Sequence, residues 1–308
     1  MNTLQAPRAV VMVRPHNFCS NPDTQGDNAF QITGGKPKEV RKKALQEFDK
    51  AVEILLSSGV GVHVFDDIGT TTPDSVFPNN WFSTHSGGHI AIYPMHAPNR
   101  RLERRWDIIE ALKRSFRVQD VIDFSGLEQD GLALEGTGAM VLDHVGRIAY
   151  TVTSNRADPV LLERFCTHFN YEPMAFEARD SQGREVYHSN VLMGLGTDFA
   201  MICLSMISDP TRRAEIATRL EETGHEVIDL TEEQIRCFAG NVFALTGTGP
   251  LLALSARALQ ALRPDQINKI ERSATLLPLS IPTIETAGGS VRCMLAGIHL
   301  SPRERTPS

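Results

Sequence analysis

A thiol, an imidazole, a carboxylate and two amides recur along this chain at nearly constant spacing. Asn80, Glu135, His188, Asn241 and Cys293 follow one another at intervals of 52 to 55 residues. Each precedes or opens a similar apolar run: WFSTH after Asn80, then AMVLDH, VLMGLG, VFALTG and, after Cys293, MLAGIH. A period of about 50 residues marks an array of small units, because one such unit cannot bury its own faces. Equivalent positions in an array of this kind converge near one axis. There a cysteine can attack as a thiolate, and a histidine can exchange protons near neutral pH. A glutamate beside that histidine fixes its tautomer and stabilises its charged form.

Local context separates these residues from their ordinary counterparts. Cys293 lies in AGGSVRCMLAGIH, where glycines permit close backbone approach and Arg292 is adjacent. A lone cysteine before an apolar strand is most often a small buried hydrophobe, and Cys166 and Cys203 read that way. Glu135, in LALEGTGAM, is followed by Gly136 and Gly138, which again allow close approach; a carboxylate that only caps a turn is the blander alternative. HSGGH at 85–89, with His96 beyond it, lacks the spacing of a helical ligand pair, and no CxxC or HExxH occurs, so no metal is expected. GTG at 136–138 and 247–249 and GLG at 194–196 do not open the helix that a nucleotide loop requires, so no cofactor is expected.

The elements that must position these residues follow from periodicity. Strands are expected at 8–14, 61–65, 80–85 and 89–94, a helix over about 99–116, then strands at VQDVIDF, AMVLDH and RIAYTVT. The pattern repeats with a helix from Pro159 to Phe169, EPMAF, VLMGLG and FAMICLS. It repeats again with a helix from Pro210 to about Thr223, HEVIDL, NVFALT and LLALS, and ends with a helix over 264–274, TLLPLS and CMLAGIH. This is strand–strand–helix–strand four times, with a split fifth copy in which the last strand pairs with the first. The helix of that fifth copy, Pro37 to Ser57, shows an apolar stripe of Val40, Ala44, Leu45, Phe48, Val52, Leu55 and Leu56, and Gly59 stops it. The expected architecture is one α/β domain over residues 1–308, a five-bladed pseudo-fivefold propeller of ββαβ units closed by its N- and C-terminal strands. Residues 15–37 are too long for an ordinary connection, and Phe18, Phe30 and several amides suggest a partly ordered lid.

Composition narrows the functional class. A net charge of −6 without a basic block gives no support to nucleic-acid binding. No run approaches the ~18 apolar residues of a membrane span, and the N-terminal stretch does not read as a signal peptide. Five cysteines without regular spacing argue against a disulfide framework, so a cytoplasmic location is expected. The expected partner is a small molecule, and composition allows a homo-oligomer as well as a monomer.

The segments PDSVFPNNW, LEGTG, SNRAD, HSNVLMG, GNVFAL and GGSVRCM together resemble the guanidine-modifying superfamily, the amidinotransferase or pentein fold. The resemblance covers nearly the whole chain, with six motifs in order at repeat spacing. It implies that Cys293 is the covalent nucleophile, His188 the general acid/base and Glu135 its orienting carboxylate. Arg156 in SNRAD resembles the arginine that binds a substrate α-carboxylate, a task suited to its bidentate fork. The departures bear on the substrate. Arginine deiminases place an aspartate three residues after a phenylalanine, and a second one in H-x-D. Here those places hold Asn80, after Phe77, and Asn190. Two carboxylates suit an all-donor guanidinium; two amides suit a ureido group, which offers a carbonyl as well as N–H donors. PNNW and HSNV are also similar to citrulline utilisation hydrolases. The expectation is a hydrolase that forms a covalent Cys293 intermediate on citrulline, with Asp74 meeting the substrate amine or a ureido N–H. Arginine deiminase or dimethylarginine dimethylaminohydrolase activity is the nearest alternative. A non-catalytic pentein binding protein is the more distant one.

Overall fold

The computed structural model describes residues 4–26, 28–32, 34 and 36–303. Its strands are β1 (Ala9–Pro15), β2 (Gly61–Asp67), β3 (Phe82–His85), β4 (His89–Ile92), β5 (Asp120–Asp123), β6 (Met140–Asp143), β7 (Ile148–Val152) and β8 (Glu172–Phe176). Then come β9 (Met193–Leu195), β10 (Phe199–Ile202), β11 (Glu226–Asp229), β12 (Phe243–Thr246), β13 (Pro250–Ser255), β14 (Thr275–Leu279) and β15 (Ala296–Gly297). Among the described residues they form five sheets of three strands.

One pairing rule governs all five sheets. β3–β4, β6–β7, β9–β10 and β12–β13 pair antiparallel, as short hairpins allow. β4–β5, β7–β8, β10–β11 and β13–β14 pair parallel. A parallel pair needs a crossover, and the crossovers are the helices Trp106–Ser115, Pro159–Phe169, Pro210–Glu222 and the pair Ala256–Ala261 and Pro264–Ile270. In the remaining sheet β1 runs parallel to β2 across helix Pro37–Ser57 and antiparallel to β15, with Val10 opposite Gly297 and Val11 opposite Ala296. The two ends of the chain therefore meet in one sheet, as the split repeat predicts. The first strands of neighbouring sheets lie beside one another: β15 beside β3, β6 beside β9, and β9 beside β12.

The helices begin where the sequence signals say. Pro37, Pro159, Pro210 and Pro264 each occupy the first turn, where a missing N–H costs nothing, and Asp158 and Asp209 cap the helices that follow them. Helix Pro37–Ser57 buries Ala44, Phe48, Ala51, Val52 and Leu55 against the β1 sheet, while Leu56 is exposed. Leu56 lies about 100° around the helix from Leu55, off the buried line.

Two expectations change. The single helix over 99–116 is two pieces, a 3-10 segment Pro98–Glu103 and the helix Trp106–Ser115. The break follows from Arg100, which turns inward and is fully buried rather than solvated. The strand expected at AMVLDH forms as β6, whereas those expected at VLMGLG and CMLAGIH start late, at Met193 and Ala296. One helical turn leads into each of the three strands, Gly136–Ala139, Ser189–Leu192 and Val291–Met294. All residues of these turns but Arg292 are buried, so no polar alternation marks them in the sequence. HSGGH forms the β3–β4 hairpin, with Gly87 and Gly88 at φ of 95° and 96°. Among the described residues no helix is long and apolar enough to cross a membrane.

Candidate active site

Each repeat residue sits at a tight turn in front of the first strand of a sheet, and all five are buried. Asn80 ends the 3-10 turn Pro78–Asn80, Glu135 and His188 precede their one-turn helices, and Cys293 lies inside its own. The turns bring the side chains together. His188 Nε2 lies 2.8 Å from Glu135 Oε2, and Glu135 Oε1 accepts the His96 backbone N–H at 3.0 Å. Arg156 and Arg100 stand 3.6 and 3.7 Å from Glu135 Oε2, the oxygen that faces His188.

These contacts fix the charge states. Burial alone would raise the Glu135 pKa, but Arg156, His188 and Arg100 outweigh it and hold this carboxyl far below the usual range. Ionised Glu135 then accepts from Nε2–H, which leaves His188 Nδ1 as the nitrogen free to take a proton. Burial lowers the His188 pKa below its ordinary value, against the opposing pull of Glu135.

The Nδ1 side of the ring is crowded. Gly138 lies against it: a Cβ there would collide with Asn80 Nδ2 and come within 2.9 Å of His188 Nδ1. Gly138→Ala should therefore displace both side chains and lower turnover about 10²-fold, the cost of a misplacement near 1 Å. Steady-state kinetics beside a thermal melt checks this; an alanine variant of normal turnover would contradict the close packing.

Arg100, which the sequence analysis does not single out, organises the opposite wall. It meets Glu103 through two hydrogen bonds of 2.9 Å and donates to Asn80 Oδ1 at 2.9 Å. Burial lowers its pKa, but Glu103, Asp74 and Glu135 more than compensate and keep it charged. Because a guanidinium can only donate, Asn80 must turn its oxygen to Arg100 and its NH₂ toward Gly138 and His188. Nδ2 of Asn80 has no hydrogen-bond partner among the described residues.

Cys293, His188, Asn80, Asp74, Arg100 and Arg156 line one narrow cleft. Asp74 is buried, its pKa raised by burial against the pull of Arg100, and its Oδ1 has no hydrogen-bond partner among the described residues. Arg156 is buried with its guanidinium 4.9 Å over the Tyr187 ring. The structure places Asn190 differently from the other expected substrate contacts. It lies behind the cleft, and its Nδ2 donates to Cys293 Sγ at 3.3 Å. Two further residues come from outside the motifs. Asn28 lines the cleft, and the Tyr187 hydroxyl donates to Gly288 O at 2.6 Å. Two residues between β1 and helix Pro37–Ser57 are tied down beside the cleft: Asn21 Nδ2 donates to Asp74 Oδ2 at 2.7 Å, and Ile32 N–H to Thr286 O at 2.8 Å. All five cysteines are free, and among the described residues no three His, Cys, Asp or Glu side chains cluster as a metal site would require.

Known proteins share this fold. The N-terminal domain of ArgZ, an arginine dihydrolase from the ornithine-ammonia cycle in cyanobacteria, superposes in a substrate-bound mutant form with a TM-score of 0.73. The identity is 15%, over 94% of this chain and 97% of that one. A mutant of AgrE in binary complex with L-arginine gives 0.73 at 15% identity, over 96% of this chain and 41% of that one. A dimethylarginine dimethylaminohydrolase mutant carrying an adduct with S-methyl-L-thiocitrulline gives 0.67 at 15% identity, over 95% and 100%. No curated protein sequence matches the chain. The family described as N,N dimethylarginine dimethylhydrolase, eukaryotic, matches residues 14–300. A match over that span, on a fold shared with these guanidine-modifying proteins, means that the chain belongs to that family and is an enzyme, a hydrolase of C–N bonds.

Proposed function

We propose that this enzyme hydrolyses the ureido group of citrulline through a covalent Cys293 intermediate, giving ornithine, ammonia and carbon dioxide. The orientation of Asn80 carries the reading. Arg100 holds its oxygen, so the free NH₂ can donate to a ureido carbonyl, and a guanidinium has no acceptor to offer it.

The chemistry follows from the assigned protons. His188 Nδ1 takes the Cys293 proton, and the thiolate forms a C–S bond to the ureido carbon. As the C–Nδ bond breaks, the imidazolium gives its proton to the departing nitrogen and ornithine leaves. His188, neutral again, takes a proton from water, whose oxygen attacks the S-carbamoyl carbon and expels the thiolate. The resulting carbamic acid decomposes to ammonia and carbon dioxide. Glu135 stabilises the imidazolium at both stages. Arg156 binds the substrate carboxylate, and Asp74 the amine. The five like sheets close as a five-bladed ring within a single domain, with the cleft at its axis and residues 15–37 as its lid.

His188 must be neutral to accept the thiol proton. Its lowered pKa keeps the neutral form populated below 6.5, the ordinary imidazole value, so the acid limb of kcat/KM should fall below pH 6.5. A limb above that value, in a pH–rate profile, would contradict the assignment.

One observation favours a guanidino substrate instead. The free Asp74 oxygen can accept from a cation, and arginine is bound in the AgrE complex. Ammonia and ornithine release measured on citrulline, arginine, dimethylarginine and agmatine decides between the two. Release from citrulline with little from arginine supports the ureido reading. Citrulline accumulating from arginine sinks it.

A further inference from the structure

We propose that Asn241 is a catalytic residue: its side-chain amide, together with that of Asn190, forms a two-donor cradle that holds the Cys293 sulfur as an anion. This rests on the reading of Cys293 as nucleophile, and it extends the fourth repeat position into the site beside the other four.

The amide of Asn241 cannot be turned round. The Arg292 backbone N–H, 3.0 Å from Oδ1, can only donate, and the Asn190 backbone carbonyl, 2.8 Å from Nδ2, can only accept. These two clamps fix the plane and leave the second Nδ2 hydrogen for Cys293 Sγ at 3.3 Å. Asn190 Nδ2 reaches the same sulfur at 3.3 Å. Both amides are fully buried, so no water competes for the sulfur from their side. Two converging N–H donors suit S⁻ far better than S–H, since a hydrogen bond to an ionised acceptor is about twice as strong as a neutral one. The same amide also serves the resting thiol, because Oδ1 lies 3.7 Å from Sγ, within reach of its proton.

The nearest cation in sequence acts on the sulfur only through space, without a hydrogen bond to it. Arg292 turns away, donating to Leu295 O at 2.9 Å with its guanidinium 4.0 Å over the Phe243 ring. The ionisable groups that share the cleft with Cys293 are His188, Asp74, Arg100 and Arg156. Arg100 and Arg156 are engaged with carboxylates, and His188 is neutral at rest. Fixed dipoles therefore supply the direct hydrogen bonds to the sulfur.

The test is alkylation of Cys293 by iodoacetamide in the folded protein, followed by peptide mass spectrometry at about pH 7 and about pH 10. Thiols are largely ionised at the higher pH, so the ratio of the two rates reports thiolate population and cancels accessibility. In the unchanged protein that ratio should exceed the ratio for N-acetylcysteine. Asn241→Asp keeps the shape and the acceptor for Arg292 but removes the donor, and the ratio should fall at least ~10-fold. A wild-type ratio equal to that of N-acetylcysteine overturns the cradle even if no variant folds. A folded Asn241→Asp protein with the wild-type ratio overturns it as well. Citrulline takes no part in the measurement. A high ratio in an enzyme that ignores citrulline would sink the substrate assignment and leave the cradle standing.

Discussion

Cys293→Ser should keep the fold and lose at least ~10³-fold in turnover, because an alcohol supplies no accessible anion at neutral pH. The substitution is nearly isosteric in a buried pocket, so unfolding would not explain the loss, and a thermal melt beside the kinetics separates the two. The amide donors of Asn190 and Asn241 would then face a neutral hydroxyl, to which they contribute little. A variant that retained half its turnover would end the covalent mechanism. Alanine at Cys19, Cys166, Cys203 or Cys237 should leave activity largely intact. Cys166 makes the contrast plain: it packs with Leu162, Phe165 and Phe169, and burial pushes its thiol up to about 12.

Glu135→Gln should lower kcat about 10³-fold with a much smaller change in KM. The amide keeps the shape but loses the charge that stabilises imidazolium, and it can present its NH₂ to Nε2, which then carries no proton. The neighbouring guanidinia of Arg156 and Arg100 would also lose their shared carboxylate, so a lower melting temperature should accompany the kinetic loss. If KM alone rose, Glu135 would be a substrate contact and His188 would lack its orienting partner.

How much of this was legible in the sequence depends on the residue. The repeat spacing marks Asn80, Glu135, His188 and Cys293 as neighbours, and the structure joins His188 to Glu135 directly and packs Asn80 against both Gly138 and Arg100. The pairing of the last strand with the first was also readable, because the N-terminal unit has strand, helix and strand but lacks the strand that the C-terminal run supplies. Arg100 was not. It belongs to RRLERR, where four arginines look alike, and only the turn geometry buries one of them against Glu103. Asn190 shows a different limit. Its place in the motif points to the substrate, yet the helical turn Ser189–Leu192 rotates its amide behind the cleft and onto the sulfur. Turns of four residues such as GTGA, SNVL and VRCM are too short to show a helical period in the sequence.

The central claim is that the oriented amide of Asn80 selects a ureido group, and isothermal titration of Cys293→Ala tests it most directly by reading binding without chemistry. Citrulline should bind this variant at least ~10-fold more tightly than arginine, the scale of one hydrogen bond gained and one donor left unpaired. If arginine binds more tightly than citrulline, the ureido assignment is contradicted and the guanidino reading takes its place.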